Sequence, residues 1–361
     1  MATSLRHYRK LMCFLARCHC YISMIQILKR VRHLVTAKMK PTAEYVLALI
    51  VSEFRMPVPW GEIRGRIWGP DDGRPVLCLH GWGDNSGTFN TLIPLLPRDL
   101  KYVAIDLPGH GFSSHRPAGV FYTYPTYFSD VRRVIEVLQW KRFSIIGHSM
   151  GGNIAGMFSV LYPEMVDSIV LLDSYGFLPA DTTQLHKIMR KGIDEMTEYE
   201  KIMDTRKEKV YSYEAAKERL KAVNPSLSDQ SAQILLERGL KEFEGGVVFT
   251  RDFRINLTNT ARLTLEQSLY MQSQIKAKVL ILWASQGFGK SYPQFMQFVD
   301  YTTQLRKGWD SLKSTIMTVE GDHHVHLNNP DVVAPFISDF LLSQTSEPTA
   351  GALGTSQTAK L

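Results

Sequence analysis

Residues Gly147-His148-Ser149-Met150-Gly151-Gly152 follow the apolar run Phe143-Ser144-Ile145-Ile146 and lead into a helical pattern. A Gly-x-Ser-x-Gly spacing between a strand and a helix predicts a sharp turn that lifts one side chain, Ser149, clear of a sheet. Gly147 and Gly151 flank the serine where backbone must pass close by without a Cβ. A helix beginning at Met150 aims its unpaired N–H groups and the positive end of its dipole at the space in front of the hydroxyl. A hydroxyl beside amide donors is what nucleophilic attack on a carbonyl requires. A five-residue pattern of this kind also arises by chance, so its surroundings decide.

Those surroundings repeat the theme. Pro75-Val76-Leu77-Cys78-Leu79 reads as a short buried strand running into His80-Gly81-Trp82-Gly83. Tyr102-Val103-Ala104-Ile105 is a second, ending in the glycine-rich Asp106-Leu107-Pro108-Gly109-His110-Gly111-Phe112-Ser113-Ser114. Near the far end, Thr315-Ile316-Met317-Thr318-Val319 opens into a loop carrying His323, His324 and His326, then Pro330 and an amphipathic helix pattern. Together these segments resemble the α/β-hydrolase superfamily. The resemblance implies a mainly parallel sheet with helices on both faces and an inserted helical lid, and alternating strand-like and helix-like segments argue for the same layering. It also implies that the backbone N–H groups of Trp82 and Met150 form an oxyanion hole. His323 best matches the catalytic histidine, since many members carry a second, non-catalytic histidine where His326 stands; His324 is the alternative.

The acid is less direct. In many relatives it follows the strand that here reads Lys278-Val279-Leu280-Ile281-Leu282-Trp283, within a Gly-x-x-Asp turn. This chain continues Ala284-Ser285-Gln286-Gly287-Phe288-Gly289-Lys290 with no carboxylate. Some members place the acid at the end of the strand after the nucleophile helix, where Ser168-Ile169-Val170-Leu171-Leu172 ends in Asp173. Asp173 is the candidate that orients the imidazole, with Asp300 and Asp310, expected in the loop region before His323, as alternates.

Val58-Pro59-Trp60-Gly61-Glu62-Ile63, Val76 to Trp82, Leu92-Ile93-Pro94-Leu95-Leu96-Pro97, Phe143-Ser144-Ile145 and Pro163-Glu164-Met165-Val166-Asp167 narrow the resemblance. They are similar to the vertebrate serine hydrolase-like proteins over residues 44–342, most weakly between 176 and 262. The similarity implies a serine hydrolase cleaving an ester or thioester through Ser149, His323 and Asp173. Dehalogenase and epoxide hydrolase chemistry is disfavoured, because those relatives place a carboxylate where Ser149 stands. The competing expectation is a non-catalytic ligand-binding protein that keeps fold and pocket, motivated by the missing Gly-x-x-Asp turn.

Composition fixes the outline. A chain of 361 residues with 44% apolar content can bury one large core plus an insert. The expected segments are a basic N-terminal extension (1–43), the first part of the core (44–175), a helical lid (176–262), the second part of the core (263–342) and a flexible tail (343–361). In the lid, Phe177, Leu178, Met189, Ile193, Met196, Leu235, Leu236 and Phe243 are candidates to line an apolar pocket or simply to pack helices. No apolar run is long enough for a transmembrane span.

The net charge of +7 is unevenly placed. Nine of the 42 Lys and Arg residues, and none of the 35 Asp and Glu, fall in residues 1–43, so the rest of the chain is slightly acidic. That excludes a basic nucleic-acid face on the catalytic body. The extension resembles a mitochondrial transit peptide or an isoform-specific start. The terminal Ala359-Lys360-Leu361 is close to a Ser-Lys-Leu peroxisomal address, so an import receptor is an expected partner beside a small-molecule acyl substrate, with peroxisome and cytoplasm the expected locations. Cys13, Cys18 and Cys20 lie in the extension and Cys78 in a core strand, which is no disulfide framework. No cofactor is expected, and no metal, because no acid or cysteine stands at ligand spacing beside the histidines.

Overall fold

The computed structural model describes residues 51–203, 205–288, 299–312 and 314–344. The chain divides into residues 1–47 and 48–361. The basic extension with its three cysteines and the Ala359-Lys360-Leu361 terminus lie outside the described residues.

Four short runs too apolar to face water on either side build the centre of one sheet. These are β3 (Arg74–Leu79), β4 (Leu100–Ile105), β5 (Phe143–His148) and β6 (Val166–Leu172), with β1 (Ser52–Val58) and β2 (Gly61–Trp68) to one side. On the other side lie β9 (Lys278–Gln286) and β10 (Ser314–Asp322), giving the order β1-β2-β4-β3-β5-β6-β9-β10. The pairs β1/β2 and β2/β4 are antiparallel and the rest parallel. Parallel strands need cover on both faces, and the side chains divide accordingly. Leu77, Leu79, Val103, Ile105, Ile145, Ile169, Leu171 and Ile281 enter one core. Val76, Cys78, Tyr102, Ala104, Ile146, Val170, Leu172 and Leu282 enter the other. Alternation with a period of two is the pleat expressed in side chains.

The first core is covered by α1 (Tyr124–Leu138) and α2 (Met150–Leu161) through Val131, Val134, Ile154 and Phe158. The second is covered by the turns around Phe89 and Leu92 and by the C-terminal helix Ala334–Ser343 through Ile337 and Leu341. This is the mainly parallel, two-faced α/β architecture expected from the sequence. Helix α1 starts at Tyr124, where Thr123 and Thr126 form a reciprocal cap and Pro125 sits in the first turn.

Between β6 and the helix α6 (Leu265–Ser273), residues 176–262 form α3 (Leu185–Ile202), α4 (Tyr213–Val223), α5 (Asp229–Gly239) and a hairpin, β7 (Leu240–Phe243) and β8 (Gly246–Phe249). The hairpin differs from the purely helical insert expected. Gly245, at φ +83°, and Gly246 supply its turn. Met189, Ile193 and Phe243 are about half exposed, whereas Phe177, Met196, Leu235 and Leu236 are buried. The insert closes at its base where Ala180 N donates to Leu263 O at 2.8 Å.

One buried ion pair fastens it to the sheet. Arg238 on α5, fully enclosed, donates from Nε (2.9 Å) and Nη2 (2.8 Å) to Asp106 Oδ2 at the end of β4, and from Nη1 to Glu53 (2.7 Å). Asp106 also accepts from Ser86 N (2.8 Å) and Phe112 N (2.9 Å). Burial alone would raise the Asp106 carboxyl, but the guanidinium and the two amides hold it below the usual carboxylate range.

Candidate active site

Ser149 follows β5 and caps the start of α2 with φ +50° and ψ −114°, a conformation costly for a residue with a Cβ. Its N–H is held by Leu172 O at 3.1 Å. The turn is possible because its neighbours lack side chains. A Cβ on Gly151 would stand 2.1 Å from Leu79 O, and one on Gly147 2.5 Å from Gly151 O. Met150 is the first residue of α2, so its N–H has no acceptor within the helix.

The loop after β3 runs against this elbow: a Cβ on Gly81 would stand 3.3 Å from Ser149 Cβ. His80 shapes the loop. Its Nε2 accepts from Leu107 N at 2.9 Å, so its Nδ1–H donates to Gly81 O at 2.7 Å. Burial lowers the His80 pKa to about 4, which keeps the ring neutral for that double role. The Trp82 indole remains half exposed and reaches the insert, donating from Nε1 to Ile255 O at 2.9 Å.

His323 follows β10 and Asp173 follows β6, so both arrive at the same carboxyl edge of the sheet as Ser149. His323 Nε2 lies 3.1 Å from Ser149 Oγ, and His323 Nδ1 lies 2.6 Å from Asp173 Oδ2. Asp173 sits at φ +47°, in the left-handed region that aspartate tolerates better than most residues, with its N–H held by Leu282 O at 2.9 Å. Its carboxylate also accepts from Ala284 N at 3.1 Å and Phe288 N at 2.6 Å. The turn after β9, which lacks the acid seen in many α/β-hydrolases, instead grips the acid of the neighbouring strand. Asp300 and Asp310, the alternates, belong to helix α7 (Val299–Asp310) rather than to a loop.

The other two histidines of the loop point elsewhere. His324 and His326 are buried, and burial together with neighbouring histidines holds both below the ordinary histidine range, His326 at about 3. His326 Nε2 pairs with Thr88 Oγ1 at 2.9 Å. His148 is enclosed with them, its Nε2 2.8 Å from His323 O. Asp84, on the loop after Trp82, joins the group, and burial raises its carboxyl to about 7. The sequence offered no acid at ligand spacing beside these histidines, but folding brings in Asp84 from the far side of the elbow.

A family profile described as the alpha/beta hydrolase fold matches residues 74–234. A serine hydrolase-like protein of Danio rerio is 58% identical over 94% of this chain and 100% of its own length. The chain belongs to the serine hydrolase-like family of α/β-hydrolases. Within that family the human serine hydrolase-like protein 2 is 37% identical, over 81% of this chain and 94% of its own length. Among solved structures, a hypothetical protein from Pseudomonas aeruginosa PAO1 superposes with a TM-score of 0.71 at 28% identity, covering 82% of this chain and 99% of that one. This serine hydrolase-like chain thus shares its fold with that bacterial protein over most of its length. Among its described residues no helix is long and apolar enough to cross a membrane.

Proposed function

We propose that this family member hydrolyses a carboxylic ester or thioester by a two-step acyl transfer, with Ser149 as nucleophile, His323 as base and Asp173 as the orienting acid. The observation that carries this reading is the continuous hydrogen-bonded line from Asp173 Oδ2 through the His323 ring to Ser149 Oγ, at 2.6 Å and 3.1 Å. The carboxylate can only accept, so it fixes the neutral ring with its proton on Nδ1 and leaves the Nε2 lone pair facing the hydroxyl.

As Oγ bonds to the carbonyl carbon, its proton passes to Nε2, and the imidazolium is stabilised by the Asp173 charge. The carbonyl oxygen gains negative charge in front of the Trp82 and Met150 N–H groups, which form the oxyanion hole in this reading. Collapse breaks the bond to the leaving alcohol or thiol, which takes the proton from Nε2 and leaves an acyl ester on Ser149. Water then repeats the sequence, giving its proton to Nε2 and releasing the carboxylic acid.

A role in binding alone is the second reading, motivated by the missing acid after β9; the hydrogen bonds of Asp173 to His323 Nδ1 and to Phe288 N support the catalytic one. A panel of ester and thioester substrates of graded acyl length, assayed with the wild type and Ser149→Ala, tests the proposal. Turnover that disappears in the variant is expected. Turnover that survives it, or none by the folded wild type across the panel, would favour another chemistry or a binding role.

A further inference from the structure

The three segments that carry Trp82, Ser149 and His323 meet a second time beneath the imidazole. Asp84 lies two residues after Trp82, His148 immediately precedes Ser149, and His324 immediately follows His323. Asp84 Oδ2 stands 3.9 Å from His148 Nδ1 and 4.0 Å from His324 Nε2. The ligand atoms of the three residues lie within 4.8 Å of one another, and all three side chains are buried. We propose that Asp84, His148 and His324 form a binding site for a transition-metal ion of the zinc type.

The tautomers argue for a cation. His148 Nε2 meets the carbonyl oxygen of His323, which can only accept, so Nε2 carries the proton and donates. Nδ1 of that neutral ring is then a bare lone pair, and it faces a carboxylate oxygen. Neither His148 Nδ1 nor Asp84 Oδ2 has a hydrogen-bond partner among the described residues, the Thr88 hydroxyl that eases the Asp84 carboxyl being engaged by His326 Nε2, and 3.9 Å is too long for a bond between His148 and Asp84. Two buried acceptors and the Nε2 edge of His324 converging on one centre are satisfied together by a metal ion.

The supporting contacts of His148 and Asp84 have the form that holds metal ligands in place, whereas His324 Nδ1 has no hydrogen-bond partner among the described residues. A ligand histidine commonly ties its other ring N–H to a backbone carbonyl, as His148 does. The rotation of Asp84 is set by its other oxygen, Oδ1, which accepts from Asn85 N at 3.0 Å. Two imidazoles and one carboxylate are a recurrent zinc donor set. With bonds of about 2.0–2.2 Å, tetrahedral ligand atoms lie about 3.4 Å apart. The two pairs at 3.9 Å and 4.0 Å therefore need to close by about half an ångström, and the pair of imidazole nitrogens, within 4.8 Å, by up to about 1.4 Å. His326, whose ring centroid is 4.2 Å from that of His148, has its Nε2 on Thr88 and its Nδ1 unpaired, and it does not belong to the convergent group of ligand atoms. A bound ion would cross-link the loops after β3 and β10 to the end of β5, so it stabilises the fold and steadies the His323 backbone from below.

The test uses the full chain, stripped with a chelator, reloaded with zinc and dialysed. One retained equivalent of zinc with a raised Tm is expected. Cobalt in its place should give the visible bands of a low-coordinate nitrogen and oxygen site without thiolate charge transfer. Asp84→Asn and His324→Gln should each lose the retained ion and the rise in Tm while keeping a native circular dichroism spectrum. Zinc retained undiminished by both variants, or neither ion nor Tm change in the wild type, would overturn the site. So would a cobalt spectrum made only of thiolate bands, which would place the ion on Cys13, Cys18 or Cys20. The cobalt spectrum reads the ligands in the wild type, so the outcome stands even if a variant fails to fold.

Discussion

Gly287 is packed so tightly against Asp173 that a Cβ there would lie 2.3 Å from each carboxylate oxygen. The turn after β9 thus makes room for an acid that follows β6 and holds it through the Phe288 amide, with the Ala284 amide near the end of β9. A missing acid on one strand and a glycine beside the acid of the next are two sides of one arrangement.

Replacing that glycine should therefore act on chemistry without touching a reacting atom. Gly287→Ala must push Asp173 or the turn aside, and a displacement near an ångström in such a constellation costs about 10²-fold. We expect kcat for ester hydrolysis to fall by about that factor with KM little changed, measured by steady-state kinetics on the best substrate of the panel. An unaltered kcat would show that Asp173 is not held in the position on which activity depends.

Removing the charge should cost more. Asp173→Asn keeps the shape but can offer an N–H where an acceptor is needed, so His323 loses its preferred tautomer. A fall in kcat of roughly 10⁴ is expected. Asp300→Asn and Asp310→Asn, both on α7, should stay near wild type in the same assay. A larger loss in either of those than in Asp173→Asn would reassign the acid.

The Arg238 anchor makes a prediction about stability and pH. Arg238→Met leaves Asp106 buried without its cation, which should cost about 3–5 kcal/mol near pH 7 in denaturant unfolding. In the wild type the Asp106 carboxyl is held low, so its contribution is complete above the unfolded value of about 3.9 and is lost only as pH falls through the lower folded value. In the variant, burial is no longer opposed by the guanidinium, and the folded carboxyl moves above its unfolded value. The variant therefore gains stability on acidification toward about pH 5, and its gap to the wild type narrows. A gap that stays constant or widens over that range would contradict the assignment of charge to Asp106.

What the sequence discloses follows the range of the forces involved. The Ser149 elbow is local: strand, glycine, serine, glycine and helix are adjacent, so its geometry is written in one short stretch. His323 and Asp173 stand at strand ends and are findable through resemblance, but their contact spans 150 residues of chain and only the fold brings it about. Nothing in the linear order links Arg238 to Asp106, 132 residues away, since a lone arginine on an amphipathic helix reads as a solvated face. The same holds for Asp84 beside His148 and His324. Ligands scattered over three loops carry no spacing signal, and only the shared carboxyl edge of the sheet gathers them.

The central claim is that Ser149 is a nucleophile activated by His323. Intact-protein and peptide mass spectrometry after treatment with a fluorophosphonate tests it most directly. The account predicts a single adduct on the Ser149 peptide, absent from Ser149→Ala and strongly slowed in His323→Ala. A folded wild type that takes up no adduct, or a Ser149→Ala variant labelled as fast as the wild type, would contradict it.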